Sequence, residues 1–215
     1  MLPVKICGIT RLDDALLAAD LGASALGFVF YPKSPRCVDA DTVRLIGEHM
    51  PPAVARVGVF VNPDPESLLF TARLAQLTHV QLCGEEEPGL CEESPLPVIK
   101  VLRSASDYPT NVLANFPAAA FLVDGGRPGA YGGTGERSDW NFCRQLRDLK
   151  MTVLAGGVSA ENVAAAVAVA QPDALDVSSA LESEYGVKDH EKMRAFFAVI
   201  RALPEAHSRM RGGFI

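Results

Sequence analysis

Val4-Lys5-Ile6-Cys7-Gly8-Ile9-Thr10 reads as an apolar strand that ends on a thiol and is broken at once by glycine. Successive strand side chains face opposite ways, so Lys5 and Cys7 share one face while Val4 and Ile6 share the other. A cysteine in such a place is ordinarily a small buried apolar residue; its neighbours along the rest of the chain decide whether this one is more. After the glycine, Leu12, Ala15, Leu16 and Ala19 recur at helical spacing, with Thr10 or Asp13 as the cap and Gly22 as the stop. Ala25-Leu26-Gly27-Phe28-Val29-Phe30 is then a second strand, almost wholly apolar, the kind covered on both faces in a parallel sheet.

This strand–helix unit repeats. Further strands are expected over 54–61, 79–82, 97–102, 119–123, 152–155 and 174–177. Helical patterns are expected over 40–48, 65–77, 140–149, 162–170 and 191–203, with a weaker one between Ser104 and Pro117. The acidic run from Glu85 to Glu93 reads as a solvated face or loop. Eight short strands alternating with helices in 215 residues fit one closed (β/α)8 barrel, an α/β fold of eight parallel strands forming a single domain over 1–215, with a frayed tail from 204. The competing fold is an open doubly wound sheet, but its Gly-x-Gly-x-x-Gly fingerprint and the Gly-x-x-x-x-Gly-Lys-Ser/Thr loop are both missing.

Composition narrows the function. A net charge of −6 without any dense Lys/Arg patch argues against nucleic acid as a partner. Apolar runs too short for a membrane helix, and a start without an export signal, point to a soluble cytoplasmic protein with no membrane partner. Five scattered cysteines, none in a Cys-x-x-Cys pair, read as reduced thiols, and the four histidines form no ligand pattern, so neither a metal nor a cofactor is expected. Barrels of this size occur as monomers and as homodimers.

In a barrel of this type the active site forms at the carboxyl ends of the strands, whatever the reaction. That rule collects Cys7 from the first strand, Arg36 after the second, Gln81 and Cys83 at the fourth, Asp124 at the sixth, Gly156 and Gly157 after the seventh, and Asp176, Ser178 and Ser179 at the eighth. The loops after the seventh and eighth strands usually cradle phosphate through backbone N–H groups, which points to a small phosphorylated substrate; a plain turn and a helix cap are the alternative reading. Arg36, in a loop stiffened by Pro32 and Pro35, offers a planar fork for a carboxylate. Asp124 is either a general acid with a raised pKa or a cap.

Several stretches resemble the phosphoribosylanthranilate isomerase family of tryptophan biosynthesis: Lys5-Ile6-Cys7-Gly8-Ile9-Thr10, the segment from Gly27 to Arg36, Val57-Gly58-Val59-Phe60, Gly132-Gly133-Thr134-Gly135 with Asp139-Trp140, Leu154-Ala155-Gly156-Gly157 and Asp176-Val177-Ser178-Ser179. The resemblance spans residues 4 to 182. It implies a (β/α)8 fold, no cofactor, and conversion of N-(5-phosphoribosyl)anthranilate to 1-(2-carboxyphenylamino)-1-deoxyribulose 5-phosphate. It further implies Cys7 as general base, Asp124 as general acid, Arg36 on the anthranilate carboxylate, and Gly156, Gly157, Ser178 and Ser179 on the phosphate. Lys5, on the face of Cys7, is expected to make the thiol more acidic. The chain departs from the family pattern at Cys83, where histidine is usual, at Ala180 for glycine, and at Ser138 for an aromatic residue. A related sugar-phosphate isomerase of histidine biosynthesis would carry aspartate at the position of Cys7, and a silent phosphate-binding barrel would need neither Cys7 nor Asp124.

Overall fold

The computed structural model describes residues 1–126 and 136–204. The Gly132-Gly133-Thr134-Gly135 motif and all but the first residue of the expected tail lie outside the described residues. Eight parallel strands close on themselves in sequence order: β1 (Val4–Cys7), β2 (Ala25–Val29), β3 (Ala55–Phe60), β4 (His79–Leu82), β5 (Val98–Leu102), β6 (Ala120–Val123), β7 (Met151–Leu154) and β8 (Ala174–Val177). Closure comes from β1 pairing with β8, Lys5 opposite Asp176, and this excludes the open doubly wound sheet. No helix among the described residues is long and apolar enough to cross a membrane.

Side-chain alternation divides the core in two. Outward residues such as Val4, Ile6, Leu26, Phe28, Val80, Phe121 and Leu175 pack under the helices, in one large cluster that includes Phe196 and Phe197 of the last helix. Inward residues are smaller: Ala25, Ala55, Val57, Val59, Ile99, Val101, Leu122, Val153, Ala155 and Ala174 fill the interior below Cys7 and Cys83. Small β-branched residues suit a barrel interior, where side chains from all eight strands converge.

The helices are α1 (Leu12–Leu21), α2 (Ala40–Gly47), α3 (Pro65–Leu74), α4 (Pro88–Glu93), α5 (Thr110–Asn115), α6 (Trp140–Leu146), α7 (Val163–Ala170) and α8 (His190–Ala202). Asp39, Asp64, Asp139 and Asp189 cap α2, α3, α6 and α8 by accepting from backbone N–H groups in the first turn. The expected cap of α1 is absent: Arg11 occupies that position without a side-chain bond, and the Thr10 hydroxyl donates instead to the Gly186 carbonyl. Gly22 ends α1 in the left-handed region at φ 96°, as its sequence position suggests.

The acidic run after β4 is not wholly solvated. Glu86 is buried, takes Lys100 Nζ at 2.5 Å, and accepts from the Asn62 and Gly84 backbone N–H groups at 2.8 and 2.9 Å. Lys100 faces outward from β5 and has no water to reach, so a carboxylate from the preceding loop folds back to neutralise it. After β8 the chain forms two elements with no counterpart in the sequence reading: a 3-10 turn (Ser179–Leu181), then a hairpin of β9 (Glu182–Glu184) and β10 (Val187–Lys188).

Candidate active site

Cys7 sits at the carboxyl end of β1, facing inward with little exposure, and Gly8 turns the chain at φ 75° immediately after it. Gly27, its partner on β2, is a steric requirement: a Cβ there would lie 2.8 Å from Cys7 Sγ and 2.9 Å from Lys5 Nζ. The missing side chain lets the ammonium and the thiol occupy adjacent space. Lys5 is fully buried and bonds Asp176 Oδ1 at 2.7 Å. Burial alone would lower the Lys5 pKa, but the Asp176 carboxylate and the neighbouring thiol reverse that and hold it above its ordinary value. For Cys7 the balance differs. Burial pushes the thiol up, Lys5 opposes the rise, and Asp176 adds to it, so the net shift is upward. The expected acidifying effect of Lys5 is therefore present but outweighed.

Asp124 follows β6 and faces the same mouth. Burial and the negative charge of Asp176 push its pKa up to about 6, against a bond from the Gly125 N–H at 2.8 Å. A carboxyl group titrating there can hold a proton near neutrality and still give it up. Asp176 thus bonds the cation beside the thiol while its charge acts on the acid.

Arg36 lines the mouth but already has a carboxylate partner within the chain. Its Nε and Nη2 donate to Glu182 Oε1 and Oε2 at 2.8 and 2.7 Å. Lys188 Nζ reaches Glu182 at 3.0 Å, the Cys7 carbonyl at 2.7 Å and the Ser178 carbonyl at 3.3 Å. Glu182 and Lys188 were not expected from the sequence. The one signal for them is the Tyr185-Gly186 pair, with Gly186 at φ 80°, marking a tight reversal between two charged residues.

On the rim after β7, Gly156 and Gly157 take φ values of 72° and 64°. A Cβ on Gly156 would lie 2.3 Å from the Gly125 nitrogen, so the loops after β6 and β7 touch backbone to backbone. Ser138, in place of an aromatic residue, fits this close approach and donates to the Ala155 carbonyl at 2.6 Å. Ser178 donates to the Cys7 carbonyl at 3.0 Å, and Ser179 begins the 3-10 turn. Gln81 Nε2 donates to Cys83 Sγ at 3.4 Å, which leaves Gln81 Oε1 buried without a partner among the described residues. Every expected site residue, from Cys7 to Ser179, borders this one mouth at the carboxyl ends of the strands.

Residues 4–199 match the family model of N-(5'phosphoribosyl)anthranilate (PRA) isomerase. The N-(5'-phosphoribosyl)anthranilate isomerase of Acidithiobacillus ferrooxidans is 46% identical, over 94% of this chain and 98% of its own. The crystal structure of phosphoribosyl anthranilate isomerase from Thermus thermophilus superposes with a TM-score of 0.86 at 43% identity, covering 94% of this chain and all of that one. A further structure, at 40% identity and a TM-score of 0.82 over 94% of this chain and all of its own, is a phosphoribosyl anthranilate isomerase in complex with reduced 1-(o-carboxyphenylamino)-1-deoxyribulose 5-phosphate. With the closed barrel, the thiol and acid at one mouth, and a family match across nearly the whole length, the chain belongs to the N-(5'-phosphoribosyl)anthranilate isomerase family.

Proposed function

We propose that this chain isomerises N-(5'-phosphoribosyl)anthranilate to 1-(2-carboxyphenylamino)-1-deoxyribulose 5-phosphate in tryptophan biosynthesis, with Asp124 as general acid and Cys7 as general base. The observation that carries the assignment of roles is the shared mouth: a carboxyl group with its pKa near 6 and a thiol beside a buried lysine border the same cavity. Asp124 gives its proton to the furanose ring oxygen, and the C1–O bond breaks with its electron pair going to that oxygen. The anthranilate nitrogen lone pair closes a C1=N double bond. The resulting positive nitrogen acidifies the C2 proton, which the Cys7 thiolate takes; the C2–H electrons form the enolamine. Tautomerisation moves a proton to C1 and leaves the ketone at C2. All of the redox change is internal to the sugar, so this route needs no cofactor.

Binding follows the geometry of the rim. Gly156, Gly157, Ser178 and Ser179 offer backbone N–H groups, and Ser179 its hydroxyl, to the 5'-phosphate, while the Ser178 hydroxyl stays on the Cys7 carbonyl. Arg36 takes the anthranilate carboxylate with the guanidinium edge that Glu182 leaves open. Gln81 Oε1 is the acceptor for a sugar hydroxyl, since a buried carbonyl oxygen without a donor costs about 1–3 kcal/mol until one arrives. Asp176 lines the site as a further substrate-binding residue and also acts through Lys5 and Asp124. Five free cysteines agree with a working place in the reducing cytoplasm.

The test is the loss of anthranilate fluorescence as substrate is consumed. Cys7→Ser and Asp124→Asn should each abolish the decay while still binding the reduced product analogue. Retention of near-native turnover by either variant would remove that residue from its role.

A further inference from the structure

The buried charges at the Arg36 edge of the site do not balance. Arg36 and Lys188 supply two cations against the single carboxylate of Glu182. The Lys188 ammonium is solvated within the fold by the Cys7 and Ser178 carbonyls. Arg36 is the cation with capacity left over. Its guanidinium is boxed on three sides. The side chain passes over Gly8, where a Cβ would lie 2.6 Å from Arg36 Cδ. The Tyr185 ring covers it from the hairpin tip, 5.1 Å from Cζ to the centroid. Glu182 holds the Nε–Nη2 edge in two-point contact, leaving Nη1 without a partner among the described residues. A lone arginine on a loop would sample many rotamers, whereas this one is gripped at two points by a residue 146 positions later.

We infer that Glu182, carried on the β9–β10 hairpin and braced by Lys188, is a positioning residue that sets the Arg36 guanidinium for the substrate's aromatic carboxylate and so fixes preference for an anthranilate-type over a carboxylate-free arylamine. The inference rests on the reading of Arg36 given above. It adds that the specificity lies in a three-residue cluster and not in Arg36 alone. The hairpin is itself anchored, since the Asp14 carboxylate of α1 accepts the Lys188 backbone N–H at 3.0 Å. Carboxylate recognition is thereby tied to the strand that bears Cys7, whose carbonyl accepts from the same ammonium.

The experiment compares kcat/KM for N-(5'-phosphoribosyl)anthranilate and for N-(5'-phosphoribosyl)aniline, which lacks the carboxylate, in the wild type and in Arg36→Met, Glu182→Gln, Glu182→Asp and the Arg36→Met/Glu182→Gln double variant. Product formation is read by mass spectrometry. The inference predicts that Glu182→Gln lowers the anthranilate-to-aniline ratio by about tenfold or more, chiefly through KM, and that Arg36→Met lowers it similarly. Glu182→Asp should recover part of the ratio, and the double variant should be no less selective than Arg36→Met. A Glu182→Gln enzyme that loses both substrates in equal proportion, with Glu182→Asp doing the same, overturns the inference and leaves Glu182 a support of the fold. An unchanged ratio in Glu182→Gln overturns it equally. If Arg36→Met itself fails to discriminate, the assignment of Arg36 to the carboxylate falls, and this inference with it.

Discussion

Asp124 and Cys7 are both pushed upward by burial, with opposite consequences for their roles. Asp124 titrates at about 6 and Cys7 above the ordinary thiol range. On the roles proposed above, the working form needs Asp124 protonated and Cys7 ionised, so it is the rarer of the two singly protonated states. The pH profile follows. Below about 6 the ionised fraction of Cys7 limits and kcat/KM rises with pH. Above it, gain of thiolate offsets loss of acid and the profile is flat until Cys7 titrates, after which kcat/KM falls. The acidic limb therefore belongs to the acid and the alkaline limb to the base. Lys5→Met should move both limbs to higher pH and lower the plateau. Asp176→Asn should move both to lower pH, since that carboxylate raises both groups. Opposite shifts, or none, in the stopped-flow pH profile would show that the pair does not set these groups.

Asp124 also carries a stability signature. Its folded pKa of about 6 lies above the unfolded value of 3.8, so the native state holds its proton more tightly. The stability this gives is complete below about 4 and is lost as pH rises toward 6. Asparagine does not titrate. Asp124→Asn should therefore match the wild type in acid and exceed it by roughly 2–3 kcal/mol above pH 7, on the scale of 1.36 kcal/mol per pKa unit. Urea denaturation at pH 4 and pH 8 measures this directly. It would be an active-site substitution that gains stability as it loses turnover.

At the scale of elements, the strands were the most legible part of the chain. Each is a short apolar run covered on both faces, and β1, β4 and β8 have the bounds expected from composition alone. Turn glycines were legible too, because Gly22, Gly156 and Gly157 take positive φ where a side chain would strain. What escaped the sequence was ionic pairing. Lys5 meets Asp176 across 171 residues, and Arg36 meets Glu182 across 146, so no local pattern announces either bond. The acidic run misled for a related reason: Glu86 looks like its solvated neighbours until Lys100 is placed behind it. The β9–β10 hairpin, with strands of three and two residues, is too short and polar for periodicity to reveal. Gly27 tests how tightly β2 is fitted to β1. Gly27→Ala should fold with a loss of about 1–3 kcal/mol from overpacking, and lose far more activity than stability, because the added methyl strikes the thiol and the ammonium. Thermal melts beside turnover assays make the comparison; parallel losses would mean that only packing is involved.

The whole molecule works by closure. Residues from the first, sixth and eighth strands meet only because β8 pairs with β1, and the interior below them is filled with small apolar side chains. The ends of the barrel axis thus differ in kind, the reactive groups lying at the carboxyl end. A ligand that bridges the glycine rim and Arg36 crosslinks the loops after β7 and β2. The reduced product analogue at 100 times its dissociation constant should raise the unfolding free energy by about 2.7 kcal/mol, measured as a rise in Tm. The same compound should stabilise Arg36→Met less at equal concentration.

The most direct test of the acid–base division is single-turnover decay of anthranilate fluorescence with saturating Cys7→Ser enzyme, set beside the wild type and Asp124→Asn. The account predicts that both variants bind substrate and slow the decay by roughly a thousandfold or more. A decay within tenfold of the wild type in either variant, with substrate bound, would contradict it.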